Sequence, residues 1–192
     1  PIASPQMIDA ILRQLVQVAG VAERDISVYD ASRAISHPIY DLCHGDFPGV
    51  SFVDNLGQFG RVAAVRDDSV PVYYSGAGVD GSGTTRLPTC VVRSPYLINM
   101  GELRGHEFAG VTLCAKNHFG SIWRPGGGFS PSNLHTTVMQ TRPRGSYSCL
   151  VDLIGHKHLG GKTLLYLIDA IYGAQHPMAS PPPARWQMSP FN

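Results

Sequence analysis

No two cysteines of this chain are spaced as C-x-x-C; Cys43, Cys90, Cys114 and Cys149 are scattered singly. That spacing gives neither a zinc ribbon nor a ferredoxin-type cluster its ligands, so an iron–sulfur cluster held by this chain is not expected. The G-x-S-x-G elbow of serine hydrolases and the H-E-x-x-H of zinc peptidases are also missing. No apolar run approaches the roughly 18 residues that would mark a membrane span. Charge of one sign is lacking too: 15 Lys+Arg stand against 14 Asp+Glu, and charged residues make up only 15%. A nucleic-acid binder would show a basic excess on some stretch, and none is present.

What remains is a chain of 192 residues, 43% hydrophobic. That balance excludes a disordered polypeptide and suits one globular domain over residues 1–192. The chain opens on Pro1 rather than Met and closes on a Pro-rich tail, so the domain is expected to be a fragment or core of a longer chain. With 21 Gly and 15 Pro, its surface should be loop-rich. The cysteines read as small buried hydrophobes, with one or two disulfides the alternative in an exported protein.

Ser4-Pro5 supplies an N-cap followed by proline at the first helical position. Met7, Ile8, Ile11, Leu12, Leu15 and Val16 then recur at helical spacing, up to a stop at Gly20. Short β-like runs follow at 25–30, 50–53, 61–65, 70–74, 90–92 and 96–100, separated by Gly and Pro clusters. Pro71 marks its run as an edge strand, and 96–100 reads as a central one. Residues 105–119 have helical spacing closed by Gly120, and Tyr147, Leu150, Val151 and Ile154 suggest another helix. The apolar run Thr163–Ile168 is expected to be a strand buried on both faces, and the tail from Pro181 to be extended. The expected fold is α/β, with a mixed, mostly parallel sheet and helices on its faces.

Two glycine motifs do not carry the function they suggest. Gly76-Ala77-Gly78-Val79-Asp80-Gly81 matches the dinucleotide fingerprint, but Ser82–Pro88 cannot form the helix whose N-terminus would face a pyrophosphate. Gly161-Lys162-Thr163 resembles the end of a phosphate loop, but His156 occupies the position of the first glycine.

The stretch Leu97–Ile122 concentrates polar groups where an α/β site would place them. Asn99 closes a strand, Arg104 and His106 fall in a strand-to-helix connection, and Lys116 and Asn117 lie near the end of the expected helix. A lysine in so apolar a segment either favours the helix dipole or, if buried, needs an anionic partner or a depressed pKa. Asp30 and Asp169 read as strand-end carboxylates, suited to catalysis or to capping a turn. Arg33 could pair with Asp30 or bind an anion as a bidentate fork. Among the eight histidines, His156 and His158 are expected at a helix end. Some combination of His106, His118, His135 and Asp169 could hold a divalent or transition metal.

The matches at Leu103, His106, Gly110, Val111, Thr112, Lys116, Asn117 and Gly120 resemble the hallmark L-K-x-H and G-V-T-x-x-x-K-N-x-x-G elements of the domain-of-unknown-function 362 family. Arg104 stands where that family has lysine, which keeps the charge but not Schiff-base or proton-transfer chemistry. Asp30-Ala31-Ser32-Arg33 and Leu164–Tyr172 are similar to two further family strands. The resemblance implies no settled chemistry. The family's iron–sulfur label belongs to members with a cysteine-rich insert, which this chain lacks. Its K-N-H-F-G-S form is similar to the exported branch, which implies a periplasmic or secreted location.

Three readings follow. The first is an enzyme acting on a small anionic or oxygen-rich substrate, by metal-assisted, redox or acid–base chemistry. His106, Lys116, Asn117, Asp30 and Arg104 would be its catalytic set, with Lys116 a stabiliser or base, His106 an acid/base or ligand, and Asn117 an orienting group. The second is a small-molecule-binding protein using the same pocket, and the third a structural or assembly module. None of them involves nucleic acid or a membrane span.

Overall fold

The computed structural model describes residues 3–76, 84–106, 110–123, 145–174 and 185–187, the last segment and 171–174 by backbone only. Helix α1 spans Pro5–Arg13, with the Ser4 hydroxyl accepting from the Met7 amide, and it continues as a π-helical turn over Gln14–Val18. Gly20, at φ +71°, ends it as expected. Strand β1 (Ser27–Asp30) leads through helix α2 (His37–Asp46) to β2 (Ser51–Asp54) and β3 (Val62–Ala63). These three strands form one parallel sheet in the order β1-β2-β3. Ile8 and Leu12 of α1, Ile39 and Cys43 of α2, and Phe52 of β2 share one core.

Strands β4 (Arg66–Tyr73) and β5 (Thr84–Pro88) form a separate antiparallel pair. Pro71 therefore does sit on an edge strand, next to the irregularity between Asp67 and Pro71. A third sheet has the order β7-β6-β8-β9, with β6 at Leu97–His106, β7 at Gly110–Thr112, β8 at Thr163–Ala174 and β9 at Arg185–Gln187. Helix α3 (Thr89–Arg93), the short helix α4 (Cys114–Asn117) with a 3₁₀ turn over His118–Ser121, and helix α5 (Cys149–Gly155) complete the described elements. A second core gathers Val72, Leu87, Val91, Phe119, Leu153 and Leu159. Among the described residues, no helix is long and apolar enough to cross a membrane.

The fold is α/β with small mixed sheets. Among the described strands, β1/β2, β2/β3 and β6/β8 pair in parallel, while β4/β5, β6/β7 and β8/β9 pair antiparallel. Parallel pairings are thus half of those among the described strands rather than a clear majority. Residues 90–92 are helical, because Pro88 sets an extended N-cap conformation and α3 starts directly behind it. Residues 105–119 do not form one helix. Strand β6 runs on to His106 and returns as β7, with Gly110 at φ +75° opening the returning strand. Nor is β8 buried on both faces: Leu164 is 68% exposed, and Leu165, Tyr166 and Ile168 are exposed as well. All four cysteines are free thiols, with Cys43, Cys114 and Cys149 buried. The glycine-rich run 77–83 and the tail 175–184 lie outside the described residues. Behind that run comes strand β5 rather than a helix.

Asp54 closes β2 by accepting from the amides of Leu56 and Gly57 with one oxygen and of Ile35 with the other. Gly57 has φ +64°, and a Cβ there would lie 2.4 Å from the Ala63 amide nitrogen. Gly57→Ala is expected to lower stability by about 2–4 kcal/mol, combining positive-φ strain and steric overlap. A urea titration would check this, and a loss within about 0.5 kcal/mol, as at an ordinary surface site, would contradict it.

Candidate functional site

A cavity of about 1300 Å³ is bordered by α1, β1, the first half of β6 and the Lys116–Ser121 segment. Its apolar wall comes from residues such as Ile8, Leu12, Ile26 and Ile98, and its polar end from Asp30, Arg33, His106, Lys116 and Asn117. Four of the five expected catalytic residues, Asp30, His106, Lys116 and Asn117, thus line one space. Arg104 does not line it. Its guanidinium pairs with Glu102 two positions back on β6, at 2.7 Å.

Helix α4 is placed on β6 by side-chain bonds. Asn99, buried on β6, donates through Nδ2 to the Cys114 carbonyl at 3.0 Å, and the same amide lies 3.2 Å from His118 Nε2. Its Oδ1 accepts from Asn117 Nδ2 at 3.1 Å, and Asn117 also donates to the Met100 carbonyl. Gly101 lets this happen, since a Cβ there would meet the Cys114 amide nitrogen and Sγ at 3.3 Å. With both Nδ2 hydrogens of Asn99 committed, His118 Nε2 is the acceptor. The imidazole is therefore held neutral with its proton on Nδ1. Burial pushes its pKa down to about 4. Tyr166 OH lies 3.4 Å from the same nitrogen.

The chemical centre is the contact between Lys116 Nζ and His106 Nε2, at 2.8 Å. His106 is buried and Lys116 half-buried. Burial first, and the positive charge of Arg33 second, lower the Lys116 pKa from its ordinary value. Asp30, at the end of β1, accepts from the Ser32 amide at 2.9 Å, the Ser32 hydroxyl at 2.8 Å and the Arg33 amide at 3.1 Å. Burial nevertheless outweighs those bonds and raises its pKa. Asp30 thus shapes the turn that carries Arg33 as well as lining the cavity. The segment also contacts β1 directly, through the Ala31 amide on the Gly120 carbonyl at 2.8 Å and Tyr29 OH on Ser121 Oγ at 2.7 Å.

Of the four residues expected to hold a metal, the three described ones have separate partners. His106 meets Lys116, and His118 faces Asn99. Asp169, in mid-strand rather than at a strand end, accepts from the Ser4 amide at 2.9 Å. His135 lies outside the described residues. Among the described residues, no three His, Cys, Asp or Glu side chains stand close enough to share a metal ion. His156 does cap the end of α5, with its ring centroid 5.8 Å from that of His158.

Asn99, read from the sequence as a polar group closing a strand, sits near the start of β6 instead and has a positioning role that the sequence reading did not assign. A buried amide on the strand preceding the L-R-x-H element is the signal that could have found it.

The sequence profile of the family described as a domain of unknown function (DUF362) matches residues 3–189. No curated protein and no solved structure matches the chain.

Proposed function

The chain belongs to the DUF362 family, and from that premise we propose that its cavity binds a small, oxygen-rich anion and that Lys116 and His106 act on it as a coupled acid–base pair. The observation that carries this reading is the 2.8 Å contact between Lys116 Nζ and His106 Nε2 at the polar end of the cavity. An ammonium donating to a neutral imidazole places one mobile proton between two basic nitrogens. Arg33 adds a permanent positive charge beside them. A carboxylate or phosphate there would meet Lys116 as a point charge and could meet Arg33 as a planar fork. Asn117, already anchored on Met100 and Asn99, would present an orienting amide at the rim.

A lysine whose pKa is lowered gives up its proton more readily than a solvated one, and a bound anion favours its charged form. Proton uptake is therefore linked to binding. Affinity should be highest where Lys116 is charged, and should fall as pH rises through its lowered pKa.

Isothermal titration with inorganic phosphate and with malonate tests the reading. The Lys116→Met variant is expected to bind at least tenfold more weakly, while Lys157→Met, at an exposed position just past α5, matches the parent chain. Equal affinity of parent and Lys116→Met for both anions would reject the site.

A further inference from the structure

The cavity has a second property that a small anion does not use. Two strand edges border it, and neither has a strand partner among the described residues. Strand β1 pairs only with β2. Strand β6 pairs with β8 on one side, and on the other with β7 only at Arg104–His106, so no described strand pairs with Leu97–Met100 on that edge, where the Asn117 side chain takes the Met100 carbonyl. Each residue from Asp25 to Asp30, and each from Arg93 to Met100, lines the cavity. Such a continuous run of lining residues is the trace of a strand edge, whereas one face of a strand would contribute alternate residues.

Both strands also touch the Lys116–Ser121 segment. The Asn117 side chain holds the Met100 carbonyl of β6, and the Gly120 carbonyl holds the Ala31 amide just past β1. Those two positions lie one helical turn apart on a single short segment, which therefore meets the carboxyl end of β1 and the middle of β6. At the other end of β1, the Ser51 amide donates to the Ile26 carbonyl. In a parallel pair, alternate residues turn their amides to the partner, so Ile26 and Val28 face β2 while Ser27 and Tyr29 turn their N–H and C=O groups to the cavity.

We propose that the cavity takes an extended peptide as an added strand between β1 and β6, with its C-terminal carboxylate on Lys116 and Arg33. This deepens the anion-binding reading and rests on it. The charge is complementary: a strand running parallel to β1 would deliver its carboxyl end to the segment that carries Lys116. The apolar wall from α1 and β1 would take alternate side chains. A peptide can also pair with the backbone groups along these edges, which an alkyl chain would bury without hydrogen bonds.

The test uses the full chain and fluorescence anisotropy. The probe is an amino-terminally labelled hexapeptide of alternating valine and threonine with a free carboxyl terminus. Controls are the same peptide as its C-terminal amide, and the same acid N-methylated at alternate backbone nitrogens. The free acid is expected to bind, with amidation and N-methylation each weakening it at least tenfold. Hydrogen exchange at the Ser27 and Tyr29 amides should slow when it binds.

Two results would overturn the peptide alone. In one, the free acid binds no tighter than acetate while phosphate still binds. In the other, dodecanoate displaces the peptide and binds more tightly, leaving exchange at Ser27 and Tyr29 unchanged. If neither peptide nor phosphate binds, the anion site falls with it.

Discussion

Replacing Asn99 with leucine is expected to destabilise the folded chain by about 3–5 kcal/mol, although the two side chains have similar volume. The loss would not come from a cavity. Asn99 Nδ2 serves the Cys114 carbonyl and His118 Nε2, and its Oδ1 takes a proton of Asn117. Leucine would strand three buried or half-buried partners at once, each costing about 1–3 kcal/mol where no water reaches it. Chemical denaturation would show the loss as a lower midpoint with an unchanged slope. A loss below about 1 kcal/mol would mean that these groups find other partners and that Asn99 does not hold α4 on β6. Because Lys116 sits on α4, the same variant should also weaken anion binding.

Acid should weaken the fold through His118. The folded-state pKa of His118 lies near 4, against about 6.5 when unfolded. In the folded protein the imidazole therefore stays neutral where the unfolded chain already binds a proton. The stabilisation it confers is complete above pH 6.5 and declines as pH falls towards 4. Over that window the change is about 3 kcal/mol, because each pH unit separating the folded and unfolded values contributes about 1.4 kcal/mol. His118 is 2% exposed, so solvent screening takes little from that figure. Protonation at Nε2 would also set a new proton against the Asn99 amide. Stability measured from pH 7 to 4 should fall steeply in the parent chain and less in His118→Gln, which cannot titrate. Parallel curves would place the acid sensitivity elsewhere.

Much of the architecture is visible in local sequence signals. Ser4-Pro5 and the apolar spacing behind it specify α1, and the strand ending at Asp30 needs only its alternation and the turn after it. The segment 105–119 misleads for a physical reason. Gly, Val and Thr at 110–112 are tolerated at helical spacing, yet Gly110 at positive φ and two β-branched residues make a returning strand easier. Helix α2 escapes a reading of apolar spacing, although Ser36 and Pro38 bracket its start just as Ser4 and Pro5 bracket that of α1. The continuous apolar run of β8 reads as buried on both faces, but burial depends on which elements cover the strand, and periodicity carries no information about that. At the site, Lys116, His106, Asn117 and Asp30 are legible as chemistry-bearing residues. Their convergence is not, because it depends on β1 and β6 meeting the same short segment. The isolation of Arg104 is not legible either, since its Glu102 partner is a tertiary choice between two half-buried side chains on one strand.

The most direct measurement is the titration of the Lys116 ε-amine by NMR on lysine-labelled protein. The resonance would be assigned by its loss in Lys116→Met and followed with and without phosphate. The expected result is a midpoint below the ordinary lysine value of 10.5 in the free protein, moving upward when phosphate binds. A midpoint at 10.5 that phosphate does not move would mean that Lys116 is a solvated surface cation, and the His106–Lys116 site would not exist.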